Sequence, residues 1–418
     1  MARGIEVAVT GMGVVSANGT SLAEFHAAQL GQVSGIGPLT RYKCGEDPVR
    51  IAGEVALPVE VMLDRRDQVR TDRCTHLAAA AAQLAVGDAG LVADPDTEGW
   101  LADPERTGVS IGSAIGGSES LENNYHAFVT SGPRALRSRA IPMSMTNDAA
   151  AWLAIRYGVT GPCIAVSTAC ASGADAIVAG HQMIAAGEAD VVLAGGAEAP
   201  VVRSIVSGFA KMGALSMRND EPGRASRPFS KDRDGFVIAE GAAVLVLESA
   251  EHSRTRGART YAYLRGYGRS SDAHHVTMPH PRGLGAFQAL RRALCSADAG
   301  PADVSMVNAH GTGTTLNDAA EAFAIRDALG AHADRVPITA TKSLIGHSLG
   351  AAGAIEAVAT VQALHNGAIP PTANLDDLDP EIDLDLVVGE ARHLPVTLAL
   401  SNSFAFGGHN VVLAFGAA

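Results

Sequence analysis

The 418-residue chain is 47% hydrophobic but only 4% aromatic, and it carries 46 glycines and a formal net charge of -12. Those values describe a globular α/β protein with an aliphatic core, long enough for two ordinary domains or one large duplicated one. They argue against nucleic acid or an anionic membrane as the main partner, because both call for a basic surface. Five cysteines without a CxxC pair suit a reducing cytoplasm better than a disulfide framework. No charged-then-apolar leader precedes the first strand, and the Ala-rich run from His76 to Ala93 is interrupted by Gln83 and Asp88, so no membrane span is expected. The expected location is the cytoplasm.

The chain opens with a strand over residues 7–10, followed by glycines at 11, 13 and 19 and a helix starting near Ser21. Gly11 and Gly13 fit the start of a dinucleotide-binding fingerprint, but Ser16 stands where its third glycine belongs and no acidic ribose ligand follows. A tight turn is the simpler expectation. Arg65, Arg66, Arg70 and Arg73 crowd into nine residues, and Arg66, Arg70 and Arg73 recur at helical spacing, so one shared face is expected. A second basic set, Arg134, Arg137 and Arg139, lies in a loop-like stretch. Converging, the two sets would dock an acidic partner; apart, they are ordinary solvated surface. Further strands over 107–113, 189–193 and 243–248 alternate with helices, which predicts a mostly parallel sheet covered on both faces. The charged stretch 251–260 marks the expected boundary, giving halves 1–252 and 253–418.

The stretch CIAVSTACASGADAIVAGHQMIAAG, 163–187, holds the most informative cysteine. Residues 163–167 read as a buried strand, and the Ala-rich pattern after Ala171 as a helix stopped by Gly187. Cys170 therefore sits at a strand-to-helix turn, where unpaired N–H groups and the helix dipole favour thiolate, and Ser172 and Gly173 keep the turn small for an approaching substrate. A cysteine among alanines is otherwise a small buried hydrophobe. The second half echoes this stretch: after a strand over 336–341, His347 opens H-S-L-G-A as Cys170 opens C-A-S-G-A, and an Ala-rich helix follows to about Leu364. Two halves related by a pseudo-twofold would bring both helix starts to one centre.

Two more polar clusters follow, NAHGTGTTLNDAAEA after a strand over 304–308 and SNSFAFGGHN near the C-terminus. With TACASG and KSLIGH, with the opening VAVTGMGVVS, with SRPFSKDRDGFV and with the GAAGAIEA helix, they resemble the β-ketoacyl synthases, condensing enzymes of the thiolase superfamily. The resemblance spans the whole chain and implies a stand-alone type II enzyme with a five-layered α/β/α/β/α thiolase fold of two similar halves. It implies a dimer, homomeric or with a ketosynthase-like or chain-length-factor subunit. It also implies substrates carried on the phosphopantetheine arm of acyl carrier protein, and no bound cofactor or metal.

By that resemblance Cys170 is the acyl acceptor, and its N–H and that of Phe406 form the oxyanion hole. His310 and His347 hold the enolate left by decarboxylation of malonyl carrier protein, and Lys342, held by Glu321, supports them. Thr312 and Thr314 suit the amides of the pantetheine arm, although turn stabilisation accounts for both equally well. Ile115 joins the substrate-binding set. Arg65, Arg66, Arg70, Arg134 and Arg137 become the carrier-protein dock. Phe406 is the gate, and Ala405, where glycine is usual, is expected to stiffen it.

Rival readings exist. Gly346 to Gly350 is a literal G-x-S-x-G elbow around Ser348, with His365, His393 and His409 beyond it, but this leaves Cys170 and HGTGT unexplained. A chain-length factor would lack the cysteine, and thiolase itself uses other cysteines. Ala405, Ala239, Asn317 and Phe229 depart from the common fatty-acid pattern, which favours a polyketide or polyene synthase over a fatty-acid-elongating one.

Overall fold

The structure, a computed structural model, describes residues 6–56, 63–92 and 102–418. Strand β1, Val7–Val15, is buried along its whole length, as expected for a strand covered on both faces. Gly11 and Gly13 lie inside this strand, so the expected glycine turn is corrected. A Cβ at Gly13 would stand 2.0 Å from the Ala81 carbonyl oxygen, and one at Gly11 2.5 Å from that of Ala85. The missing side chains let helix α1, Arg73–Asp88, close directly on the strand, with Asp72 capping the helix through the Cys74 N–H. The membrane test of this stretch ends on Ala93, outside the described residues. No helix among the described residues is long and apolar enough to cross a membrane.

The first half continues with β2 (Thr107–Gly112), α2 (Ser118–Ser131), α3 (Asp148–Tyr157), β3 (Cys163–Val166), α4 (Ser172–Ala185), β4 (Val191–Glu198) and β5 (Gly241–Ser249). The second contributes β6 (Ala262–Ser271), α5 (Leu284–Ser296), β7 (Met306–Asn308), α6 (Thr315–Leu329), β8 (Ile338–Thr339), α7 (Ala352–Asn366), β9 (Leu398–Ala405) and β10 (His409–Ala417). Two short ribbons, Ile36–Pro38 with Ile51–Gly53 and Ala368–Ile369 with Arg392–His393, lie outside the main sheet.

The strands form one continuous sheet in the order β8-β7-β9-β10-β6-β1-β5-β4-β2-β3. Read outward from its centre, each half repeats the other. β1 and β6 are each antiparallel to β5 and β10, which are antiparallel to β4 and β9, and these run parallel to β2 and β7 and then to β3 and β8. The sheet is therefore mixed rather than mostly parallel, because β5 and β10 each run back along the strand before them in the chain instead of being reached by a right-handed crossover. Helix α1 packs on one half and α5 on the other, while α4 and α7 pack against each other between them, giving the five layers.

Strand β3 departs from the sequence expectation. It is the sheet's edge, and Cys163 and Ile164 are exposed rather than buried, since among the described residues no strand lies beyond them.

Candidate active site

The start of α4 is set by local chemistry. The Ser172 hydroxyl accepts from the Thr168 N–H at 2.9 Å and donates to the Ala169 carbonyl at 2.6 Å, folding 168–172 into a closed turn. Ala169 takes a left-handed φ of 51°, which costs a non-glycine residue about 1 kcal/mol. Its counterpart in the repeat, Gly346 before His347, has φ 76° and takes that conformation freely. Gly173 faces away from the cavity. Its Cβ would come within 2.9 Å of the Ala354 nitrogen and the Gly350 carbonyl oxygen, so this glycine lets α4 touch α7 and does not widen a substrate path; neither does Ser172, which is wholly buried in the turn.

Cys170 is 8% exposed at the floor of a cavity of about 310 Å³ that also presents His310, His347, Thr312, Thr314, Leu349, Phe404, Ala405 and Phe406. Burial pushes its thiol up to about 12, and Lys342, the Phe406 N–H and its own N–H only partly offset that rise. The resting sulfur is thus a thiol, which corrects the expected thiolate: here desolvation outweighs the helix start. The Phe406 N–H and the Cys170 N–H, the two backbone donors that favour negative charge on the sulfur, are the pair expected for an oxyanion hole.

The histidines approach edge to face, ring centres 5.4 Å apart, and Phe236 packs against His347 at 5.1 Å. Lys342 donates to the His310 carbonyl at 2.6 Å and lies 3.1 Å from its Nδ1. An ammonium only donates, so Nδ1 must accept and the His310 proton sits on Nε2. Burial and Lys342 hold both imidazoles well below their ordinary range, with His347 adding to the effect on His310. They are neutral hydrogen-bond donors rather than cations.

The lysine's partner is not Glu321. Lys342 pairs with Glu356, both buried to 1% exposure, and burial raises the Glu356 carboxyl to about 7 against the pull of the ammonium. Glu321 instead accepts from the His310 and Gly311 N–H groups at 2.8 Å each and from Asn402, and burial lifts it to about 6. The HGTGT turn is closed over Glu321, and the ion pair of Lys342 among the described residues is with Glu356. Glu356 is the functional residue the sequence reading missed. Its signal was legible: it is the one carboxylate in GAAGAIEA, a helix buried from Ala352 to Leu364, where a charge needs a partner.

Thr312 and Thr314 bond each other at 2.9 Å, and Thr314 caps α6 through the Asn317 N–H. Both therefore hold the turn while lining the cavity. Ile115 packs against the apolar cluster containing Cys170 and Leu349. Ala405 has φ -114° and ψ 159°, extended backbone that suits alanine and glycine alike, so it is unstrained here. Left-handed φ values fall on Gly407 and Gly408, at 80° and 72°. Of the other departures, Asn317 lines the cavity, Ala239 packs between Gly53 and Gly346, and Phe229 is buried with its N–H on Asp318 at 2.8 Å. The Ser348 hydroxyl is buried without a hydrogen-bond partner among the described residues, so no histidine there is bonded to it as a base.

Arg66, Arg70 and Arg73 share no helical face. Arg65 and Arg66 lie on the short helix Arg65–Gln68, Arg70 in the turn after it, and Arg73 opens α1 with its guanidinium 2.7 Å from buried Glu240. Arg65, Arg66, Arg134 and Arg137 are exposed and Arg70 is half-buried. None of the five is in an ion pair among the described residues.

A buried cysteine under two N–H donors, facing two neutral histidines in a duplicated five-layered fold, defines a thiolase-like acyltransferase. The chain belongs to the β-ketoacyl synthase family: the Beta-ketoacyl synthase N-terminal domain matches residues 5–253 and the C-terminal domain residues 261–376. It is 43% identical over 410 residues to a 3-oxoacyl-(acyl-carrier-protein) synthase 2 of Synechocystis sp., covering 98% of this chain and 97% of that one. Two solved structures align along almost its full length. The ishigamide ketosynthase/chain length factor has a TM-score of 0.92 at 34% identity, covering 99% of this chain and 100% of that one. AntDE:AntF, a type II PKS acyl-carrier protein in complex with its ketosynthase bound to the hexaketide, has 0.90 at 33%, covering 100% of both.

Proposed function

We propose that this acyltransferase condenses an acyl chain held on Cys170 with malonyl-acyl carrier protein, and that it serves chain elongation of the fatty-acid type. The observation that carries the reading is the convergence of Cys170, His310 and His347 on one cavity, with the Lys342–Glu356 pair behind them. In the first step the sulfur attacks the thioester of an acyl carrier, and its proton leaves with the departing pantetheine thiol. In the second, malonyl carrier protein loses carbon dioxide, and the two imidazole N–H groups hold the enolate oxygen. The enolate carbon then attacks the acyl carbonyl, whose oxyanion lies against the Cys170 and Phe406 N–H groups. The thiolate expelled on collapse takes a proton from water, which suits a site that favours thiol.

The pathway assignment departs from the polyketide expectation. Relatives at 39–43% identity are 3-oxoacyl-(acyl-carrier-protein) synthases 2, whereas the polyketide ketosynthase structures stand at 33–34%. Polyketide extension remains the second reading, favoured by the hexaketide-bound relative. Two partners complete the proposal, in the cytoplasm. Exposed Arg65, Arg66, Arg134 and Arg137, with Arg70, suit an acidic carrier protein. The open edge of β3, with exposed Ile164 and with Leu121, Tyr125, Phe128 and Val129 on α2, suits a dimer, with a second copy or a related subunit. Mass spectrometry of products from purified protein, malonyl carrier protein and a graded set of acyl carriers tests the assignment. Single 3-oxoacyl products two carbons longer than each primer support elongation, and repeated unreduced extension of one primer would establish the polyketide reading.

A further inference from the structure

We infer that Glu198 is a positioning residue for the acyl side of the site, where its carboxylate fixes the two loop segments that set Ile115 and Leu349 against Cys170. The inference rests on the acyl-transfer reading above. Glu198 ends β4, a strand otherwise made of Val, Leu, Ala and Gly, and it is completely buried. No cation pairs with it among the described residues. A buried carboxylate without a cation is unfavourable unless donors replace its water, and an apolar residue would serve the fold at lower cost.

Its donors come from both halves of the molecule. Oε2 accepts from the Ala114 N–H at 2.5 Å and the Gly350 N–H at 3.1 Å, and Oε1 from the Ser113 hydroxyl at 3.0 Å and the Ile115 N–H at 3.2 Å. The first segment is the turn after β2, and the second follows His347. Leu349, which lines the cavity, holds a left-handed φ of 44°, and the peptide after it is the one whose N–H the carboxylate takes. Contact at that peptide is so close that a Cβ on Gly350 would stand 2.4 Å from both Glu198 Oε2 and the Ala114 nitrogen. Ala114, Ile115, Leu349 and Cys170 share one apolar cluster. One carboxylate thus ties a turn from each half to a common point, and of the side chains it places Leu349 lines the cavity while Ile115 packs on the same cluster as Cys170. Burial raises this carboxyl to about 7 against the pull of its four donors, which indicates how much desolvation the arrangement absorbs.

Glu198→Gln tests the role, since an amide has one accepting oxygen and turns a donor toward groups that already donate. Acylation of Cys170 by short, medium and long acyl carriers is measured beside decarboxylation of malonyl carrier protein. The expected result is a loss on the order of tenfold in kcat/KM for long chains, a smaller loss for short ones, much less change in decarboxylation, and partial recovery in Glu198→Asp. Equal losses for every chain length and for decarboxylation, or an unchanged length profile, would overturn the inference. Should Glu198→Gln fail to fold, Ser113→Ala removes a single donor and is expected to shift the length preference the same way; no shift also overturns it. Wild-type protein that forms no 3-oxoacyl product would sink the functional reading instead, whereas wild type that condenses beside a Glu198→Gln variant of unaltered profile sinks only this inference.

Discussion

The two halves carry the same strand-turn-helix unit and use it for opposite purposes. In the first, α4 begins two residues after Cys170, and the backbone N–H groups that act on the sulfur are its own and that of Phe406. In the second, a 3-10 turn over Leu349–Ala351 pushes the start of α7 to Ala352, five residues beyond His347, so the imidazole and not the backbone is presented. A short displacement of the helix start therefore separates a nucleophile from a hydrogen-bond donor. Support differs as well. Next to the cavity, Glu198 of the first half is satisfied by neutral donors, as is Glu321 of the second, whereas Glu356 of the second half is paired with a cation, Lys342, which fixes the tautomer of His310.

The largest expected effect of breaking this contrast is on stability. Glu356→Ala strands Lys342 in the core and should cost about 3–5 kcal/mol in chemical denaturation. Glu321→Gln, which disturbs neutral partners, should cost about 1–3 kcal/mol. Equal losses would return the lysine to Glu321. Next, His347→Ala should lower malonyl decarboxylation by about 10²- to 10³-fold, while Cys170→Gln continues to release carbon dioxide. Parallel losses in the two variants would show that the halves do not divide the chemistry.

The contrast also has a pH signature. Because burial raises the Cys170 thiol to about 12, its alkylation by iodoacetamide should climb roughly tenfold per pH unit from pH 7 to pH 10, with no plateau. A plateau below pH 9 would mean that the helix start outweighs burial after all. The smallest effect is expected at the rim. Reversing charge at Arg66 and Arg70 should raise KM for the carrier protein about two- to fivefold at low salt and less at high salt. An unmoved KM removes these arginines from the dock.

Much of this was legible in the sequence because the chemistry sits at punctuation: glycine-rich turns after short strands place Cys170, His310 and His347, and the C-A-S-G-A and H-S-L-G-A echo marks the duplication. What escaped reading depends on distant contacts. The glycines of β1 look like a turn until α1 is laid against them, and β3 looks buried until no strand is found beyond it. Lys342 has two acidic candidates in the second half, and only the closure of HGTGT over Glu321 decides for Glu356. Burial of Cys170, and hence its thiol state, is likewise a property of the packed cavity rather than of the local pattern.

The central claim, that the first half supplies the acyl acceptor, is tested most directly by mapping the covalent intermediate. The protein is incubated with an acyl carrier protein in the absence of malonyl carrier, digested, and its cysteine peptides are weighed. The account predicts an acyl adduct on Cys170 alone; an adduct on Cys44, Cys74, Cys163 or Cys295 with Cys170 unmodified would contradict it.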